Sequence, residues 1–152
     1  MLTAPMKELI ATFPLGFVAT VTPEGKPAVS PKGTFLVLDD RRIAFSDIRS
    51  PGTRANLQTD PALEVNFIDP FRRKAVRVSG SATLYRKGSD WFAQMHPRWI
   101  ETFGETLAKR IGWLVEIDVE SASVIWTPPY DDGVTESEMI AIYKDKYGAL
   151  FS

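Results

Sequence analysis

The segment FSDIRSPGTRANL, residues 45–57, concentrates hydroxyl groups and two arginines around the start of a predicted helix. Ser50 followed by Pro51 is a favourable helix start, because the serine oxygen can accept a backbone N–H bond and proline has no N–H group to satisfy. An ordinary N-terminal cap therefore explains these two residues. It does not explain the other polar side chains of the segment.

The same helix start has the features of an anion site. Free backbone N–H groups and the positive end of the helix dipole attract negative charge. Side-chain donors surround this point: Arg49, Thr53, Arg54 and Asn56. Charge-assisted hydrogen bonds contribute about 1.5–3 kcal/mol each, so two or three could hold a phosphate monoester. From these residues alone, a structural cap and an anion site are both open.

A second polar row lies in the segment PAVSPKGTF, residues 27–35. Strand alternation places Ser30, Lys32 and Thr34 on one face, and a lysine in an otherwise buried strand needs a partner. Pro31 and Gly33 predict an interrupted hydrogen-bond ladder, at an edge or where another molecule approaches the backbone. The alternative is an edge strand that Lys32 protects from aggregation.

Few other residues are candidates for catalysis or for ligand binding. The only histidine, His96, stands beside Pro97 among aromatic residues, which is more typical of packing or a helix break than of a ligand. The absence of cysteine excludes disulfides, thiolate metal sites and cysteine nucleophiles. The basic turn at residues 72–74 is expected to be solvated. No general acid or base stands out, so we predict no metal site and assign no catalytic residue.

The composition predicts a single domain over residues 1–152. Eighteen basic and nineteen acidic residues leave a net charge of -1, so no overall field attracts nucleic acid or anionic lipid. No apolar run approaches the roughly 20 residues of a membrane span, and the N-terminus lacks a signal-peptide pattern. We therefore expect a cytoplasmic protein without a nucleic-acid or membrane partner.

The hydrophobic pattern predicts a mainly β fold with flanking helices. Six extended runs, two of them around the turn PEGK, suggest a small β-barrel. In the last run, GWLVEIDVE, alternation predicts one buried face. A helix follows Ser50 and ends at Asp60. Another begins near Ser89, breaks at His96 and Pro97, and resumes through Trp99 to Leu107. The tail after Pro128 predicts a loop and an amphipathic helix that covers a neighbouring subunit.

The order of GFVATVTPEGKPAVSPKGTF, FSDIRSPGTRANL and VNFIDPFRRKAVRVSGSATL resembles the FMN-binding split-barrel family related to pyridoxamine 5'-phosphate oxidase. The resemblance covers roughly residues 9–126. It implies a six-stranded Greek-key split barrel that forms a homodimer, with FMN bound at the subunit interface. By position it implies that the cofactor contacts are Ser30, Pro31, Lys32, Gly33, Ser46, Asp47, Ser50, Thr53, Arg54, Asn56 and Trp126. On this basis the segment after Phe45 is an anion site.

This resemblance implies an FMN-dependent oxidoreductase that passes hydride between a nicotinamide or small organic donor and an unidentified acceptor. The tail contains no arginine or histidine after Arg110, although oxidases of pyridoxamine phosphate end in a segment bearing both. Oxidation of vitamin B6 is therefore not expected. The alternatives are a non-catalytic flavin-binding or sensor protein, and a split barrel that uses F420 or haem instead of FMN.

Overall fold

The computed structural model describes residues 1–152 and is mainly β with flanking helices. Its strands are β1 (Gly16–Val21), β2 (Pro27–Lys32), β3 (Phe35–Val37), β4 (Arg42–Asp47), β5 (Ala62–Asp69), β6 (Lys74–Arg86) and β7 (Trp113–Trp126). Its helices are α1 (Ala4–Thr12), α2 (Pro51–Thr59), α3 (Asp90–Phe103), α4 (Glu105–Ala108) and α5 (Glu136–Ala149), and a 3₁₀ turn covers Pro128–Asp132. None of these helices is long and apolar enough to span a membrane.

All seven strands form one antiparallel sheet in the order β2-β1-β5-β6-β7-β4-β3. The two edge strands, β2 and β3, are separated in the chain only by Gly33 and Thr34. Because successive Cα atoms lie about 3.8 Å apart, so short a link requires the sheet to curl until its edges meet. The result is a curled half-barrel consistent with a split barrel.

The sheet has seven strands where the sequence predicted six. The run PAVSPKGTFLVL divides into β2 and β3, because the chain leaves the ladder after Lys32 and pairs again, with β4, from Phe35. The predicted interruption of this ladder is thus confirmed. The predicted hairpin around PEGK is also present, with β1 and β2 paired from Gly16 opposite Lys32 to Val21 opposite Pro27.

The prediction of one buried face on the last strand is wrong for its first half. Leu114, Val115, Glu116 and Ile117 are all buried, so both faces of β7 are covered there. Val115 and Ile117 point into the core within the curled sheet, whereas Leu114 packs on the other side beneath α3 and α4. The helices that follow β6 therefore give the barrel a second hydrophobic layer.

One long helix also departs from expectation, and the C-terminal helix has defined contacts within the chain. The helix that begins after Ser89 continues through Pro97 to Phe103, and the break comes at Gly104, whose φ of 88° ends it. The C-terminal helix packs on its own chain: Arg73 of the β5–β6 turn lies over the ring of Tyr143 and donates to the hydroxyl of Tyr147 at 2.8 Å. Within the chain, α5 therefore holds the turn that precedes β6.

Candidate functional site

The polar row of β2 and the start of α2 meet through Lys32. Its ammonium group donates hydrogen bonds to Ser30 Oγ, at 2.9 Å, and to Ser50 Oγ. Ser50 occupies the N-cap position of α2, but its side chain makes no capping hydrogen bond. The predicted serine cap is therefore wrong in its hydrogen bonding, because Lys32, eighteen residues earlier, engages the hydroxyl. The first N–H groups of α2 are left without that partner.

A cavity of about 290 Å³ opens at this point, and we call it the anion cavity. Its polar and charged lining residues come from β1, β2, the loop before α2 and α2 itself: Thr20, Ser30, Lys32, Arg49, Ser50, Thr53 and Asn56. Five of the predicted cofactor residues therefore share one cavity. The cavity has two cations in its wall and no carboxylate.

Lys32 is the buried cation of this cavity, with 6% of its surface exposed. Both hydrogen-bond acceptors of its ammonium group are neutral hydroxyls, and the nearby Asp47 is already paired with Arg54. Burial lowers the pKa of Lys32, and the negative charge of Asp47 offsets part of this effect. A buried ammonium without a direct counter-ion is costly, and a bound anion would remove that cost.

Arg54 and Asp47 form a separate pair beside the anion cavity. Arg54 Nη1 donates to Asp47 Oδ2 at 2.8 Å, and its guanidinium lies 5.2 Å from the ring centroid of Trp113. Asp47 is buried, and its Oδ1 has no hydrogen-bond partner. Neither side chain lines the anion cavity. Within this chain, Arg54 is therefore occupied by a carboxylate rather than free to meet an anion.

The remaining candidates from β2 to α2 have structural contacts. The buried hydroxyl of Ser46 bonds to that of Thr34, and Asn56 donates to Thr20 Oγ1 at 3.0 Å. Pro31 and Gly33 are exposed where the edge strand ends. Gly33 has open space where a Cβ would stand, so its backbone is accessible from outside.

Trp126 lies away from the anion cavity. It ends β7, its side chain is 53% exposed, and its indole N–H donates to Asp131 Oδ1 at 3.2 Å. It lines a different cavity, between α1 and the start of α5. One chain alone therefore does not bring Trp126 together with Lys32.

The structure supports the packing interpretation of His96. Its Nε2 atom is hydrogen-bonded to the carbonyl oxygen of Ala108 at 2.8 Å, and its ring stacks on Phe92 at 5.1 Å. No group of three potential metal-ligating side chains is present. The aspartate before the basic turn has the expected turn-forming role, because Asp69 Oδ1 accepts the backbone N–H bonds of Phe71 and Arg72.

Sequence reasoning missed two features of the site. Thr20 lines the anion cavity from β1, and its position on the inner face could be read from the alternation of GFVATV. No pattern in the sequence indicated that Arg54 would pair with Asp47 beside Trp113. It depends on β4 lying next to β7, where Asp47 is directly opposite Trp113.

The curled antiparallel sheet, with a cationic cavity between its edge strand and α2, is the architecture of a split-barrel protein. A profile described as pyridoxamine 5'-phosphate oxidase matches residues 2–144. The chain therefore belongs to the pyridoxamine 5'-phosphate oxidase family. No curated protein matches the sequence.

Solved structures show the same fold. HupZ of Group A Streptococcus is 26% identical, with a TM-score of 0.70 over 84% of this chain and 96% of that chain. The heme storage protein HutZ of Vibrio cholerae is 22% identical, with a TM-score of 0.64 over 83% and 95%. An FMN-binding protein of Syntrophomonas wolfei is 12% identical, with a TM-score of 0.63 over 78% and 82%. The last two likenesses concern the fold alone.

Proposed function

We propose that the protein is an FMN-binding oxidoreductase whose anion cavity holds the phosphate of the cofactor. The observation that carries the proposal is the buried ammonium of Lys32, which has two hydroxyl partners and no carboxylate partner. Such a group needs an anion, and a helix N-terminus beside it supplies further donors. A phosphate monoester matches these donors in charge and in hydrogen-bonding capacity.

The residues of the anion cavity have distinct roles in this proposal. Lys32 supplies a fixed positive charge, and Ser30 and Ser50 hold its ammonium group in place. Arg49 adds a second, exposed cation, and Thr53 adds a hydroxyl at the first turn of α2. Asn56 is positioned by its hydrogen bond to Thr20 and lies beneath the cavity as part of its wall.

Asp47 and Arg54 act beside this phosphate site. Their ion pair places a half-buried guanidinium over Trp113 and leaves one carboxylate oxygen of Asp47 as an unpaired acceptor. The backbone of Pro31 and Gly33, at the open end of β2, is accessible to the cofactor.

The bound flavin would supply the redox chemistry, since FMN accepts and returns hydride, whereas the protein supplies binding and orientation. We propose a nicotinamide or small organic donor and a small-molecule acceptor. The second subunit of a homodimer would complete the site, with Trp126 contributed by the partner.

A flavin-binding protein without turnover, or one that uses F420 or haem, is the alternative. His96 does not favour haem, because its Nε2 atom is hydrogen-bonded to the carbonyl oxygen of Ala108 and its ring stacks on Phe92.

Identification of the released ligand tests the cofactor. Protein purified in the dark is denatured, and the supernatant is examined by absorbance and mass spectrometry. We expect FMN. A protein that releases F420 or haem, or one that is colourless and binds no added FMN, would contradict the proposal. Anaerobic mixing of the FMN-loaded protein with NADH and NADPH then tests the nicotinamide as donor. Bleaching of the flavin supports an oxidoreductase, whereas no bleaching by either compound favours a small organic donor or a binding protein without turnover.

A further inference from the structure

Helix α3 is joined to the link between the two edge strands by the side chain of Trp99. Its indole N–H donates to the backbone carbonyl oxygen of Thr34 at 2.9 Å. Trp99 is fully buried, in the hydrophobic cluster that α3 and α4 form with the sheet. A buried indole N–H needs an acceptor, and here the acceptor is a main-chain atom of the link. The helical layer is therefore attached to the point where β2 leaves the sheet.

Thr34 is the anchored residue of this link. Its hydroxyl bonds to that of Ser46, which ties it to β4, and its carbonyl is held by Trp99. Gly33 differs, because nothing lies within 4 Å of the position that a Cβ would take there. A glycine in open space has a wide choice of backbone conformations. The end of β2 is therefore held by the ladder with β1 on one side and by Thr34 on the other.

Lys32 is the last residue of β2, directly before Gly33. Its backbone lies opposite Gly16 of β1, and its ammonium group donates to Ser30 Oγ at 2.9 Å and to Ser50 Oγ. A bond of 2.9 Å that is lengthened by about 1 Å is no longer a hydrogen bond. A small displacement of the strand end would therefore detach the buried ammonium group from its hydroxyl partners.

We propose that Trp99 is a positioning residue of the anion cavity, which holds Lys32 in place through the carbonyl oxygen of Thr34. Neither Trp99 nor Thr34 lines the cavity, so Trp99 acts on the site only through the link. This role rests on the proposed function of the anion cavity for its effect on FMN. The position of Lys32 itself can be measured without any ligand.

The test removes the indole N–H and keeps an aromatic ring. Trp99→Phe is compared with Phe92→Leu, because Phe92 is buried in the same cluster and its side chain has no donor. NMR titration of isotope-labelled lysine side chains follows Lys32, whose pKa is lowered by burial. We expect Trp99→Phe to move this pKa towards its ordinary value of 10.5, and Phe92→Leu to leave it lowered.

An unchanged pKa of Lys32 in Trp99→Phe would overturn the proposal. Equal shifts in the two variants would overturn it as well, since they would reflect a general loosening of the helical layer. Replacement of Trp99 by benzothienylalanine repeats the test without a loss of volume, because sulfur takes the place of the N–H group. The same outcomes apply to that protein if Trp99→Phe does not fold.

FMN binding gives the second measurement. Trp99→Phe should weaken FMN about three- to tenfold and leave riboflavin unchanged, because the cation of Lys32 remains but is displaced from the phosphate. A full preference for FMN in Trp99→Phe would contradict the positioning role. If the unaltered protein shows no preference for FMN over riboflavin, the phosphate proposal fails, and the lysine titration alone decides the role of Trp99.

Discussion

At the residue scale, Lys32 decides how the anion cavity responds to pH. Burial lowers the pKa of its ammonium group, so in the ligand-free protein the proton is lost below the usual pH of about 10.5. A bound phosphate favours the charged form and raises this pKa again. Binding of a phosphate ligand must then weaken as the pH rises through the lowered pKa, because the proton has to be recovered on binding.

We therefore predict that the preference of the protein for FMN over riboflavin declines as the pH rises, and that this decline begins below the ordinary lysine pKa of 10.5. Lys32→Met should weaken FMN about 10- to 100-fold and remove this pH dependence, with little effect on riboflavin. Lys32→Arg should keep the preference for FMN and remain insensitive to pH, since an arginine stays charged. Fluorescence titrations at several pH values measure both ligands. Equal losses for FMN and riboflavin in Lys32→Met would argue against a phosphate contact.

Some residues of the anion cavity could be predicted from the sequence, and others could not. The alternation of β2 correctly placed Ser30 and Lys32 on one face, and the donors at the start of α2 identified the other wall of the cavity. From the sequence alone, Arg54 was as good a candidate as Lys32 for binding the anion. Its side chain turns instead to Asp47. Such a choice depends on distances across the sheet, which spacing along the chain does not determine.

At the element scale, the paired strands β6 and β7 depend on a glycine. Their register shifts between Ser79 and Gly80, so that Gly80 lies opposite Val119 while Ser79 lies opposite Ser121. Glu120 is therefore the extra residue of a bulge in β7. A Cβ on Gly80 would stand 2.2 Å from the carbonyl oxygen of Asp118, a backbone atom that cannot move without disturbing the ladder.

We predict that Gly80→Ala lowers the free energy of unfolding by more than about 2 kcal/mol, because the clash must be relieved by moving strand backbone. Gly148→Ala is the matched control. Gly148 lies in α5 with nothing within 4 Å of the added Cβ, so we expect no loss of stability. Urea unfolding followed by circular dichroism measures both variants. Comparable stabilities for Gly80→Ala and the unaltered protein would show that the bulge can absorb a side chain.

The sequence predicted most elements but not their layering. The helix after Ser50 ends at Asp60 as expected, because the following Pro61 disfavours helical geometry at the preceding residue. The helix after Ser89 does not break at Pro97, since packing of Trp99 in the second hydrophobic cluster favours its continuation. That same packing buries the outer face of β7. Tertiary contacts of this kind override local propensity.

At the scale of the whole molecule, the outer face of the sheet exposes apolar side chains on four strands. Phe17, Val29, Ile68 and Ile125 are exposed on strands β1, β2, β5 and β7, and Val29 has 66% of its surface in contact with solvent. In register, Phe17 lies opposite Asn66, whose buried Oδ1 has no hydrogen-bond partner. An antiparallel sheet with one solvated face normally carries polar residues there. Apolar side chains exposed on four strands mark an interaction surface, and the exposed ion pair between Arg77 and Glu64 lies on the same face.

We predict that the protein is a homodimer that buries this face and that Ile68→Asp dissociates it, because a charge would be buried without a partner. Ile68 lines neither the anion cavity nor the cavity that contains Trp126, so its replacement does not alter the phosphate site directly. Ile142→Asp is the control: Ile142 is also exposed, but it lies on α5, which packs on its own chain. Sedimentation equilibrium should give twice the 17.0 kDa chain mass for the unaltered protein and Ile142→Asp, and the single mass for Ile68→Asp. If the cofactor site also needs Trp126 of the partner, FMN affinity must fall in Ile68→Asp. A folded Ile68→Asp monomer that binds FMN at full strength would separate the cofactor site from the dimer, and an Ile68→Asp dimer would place the interface elsewhere.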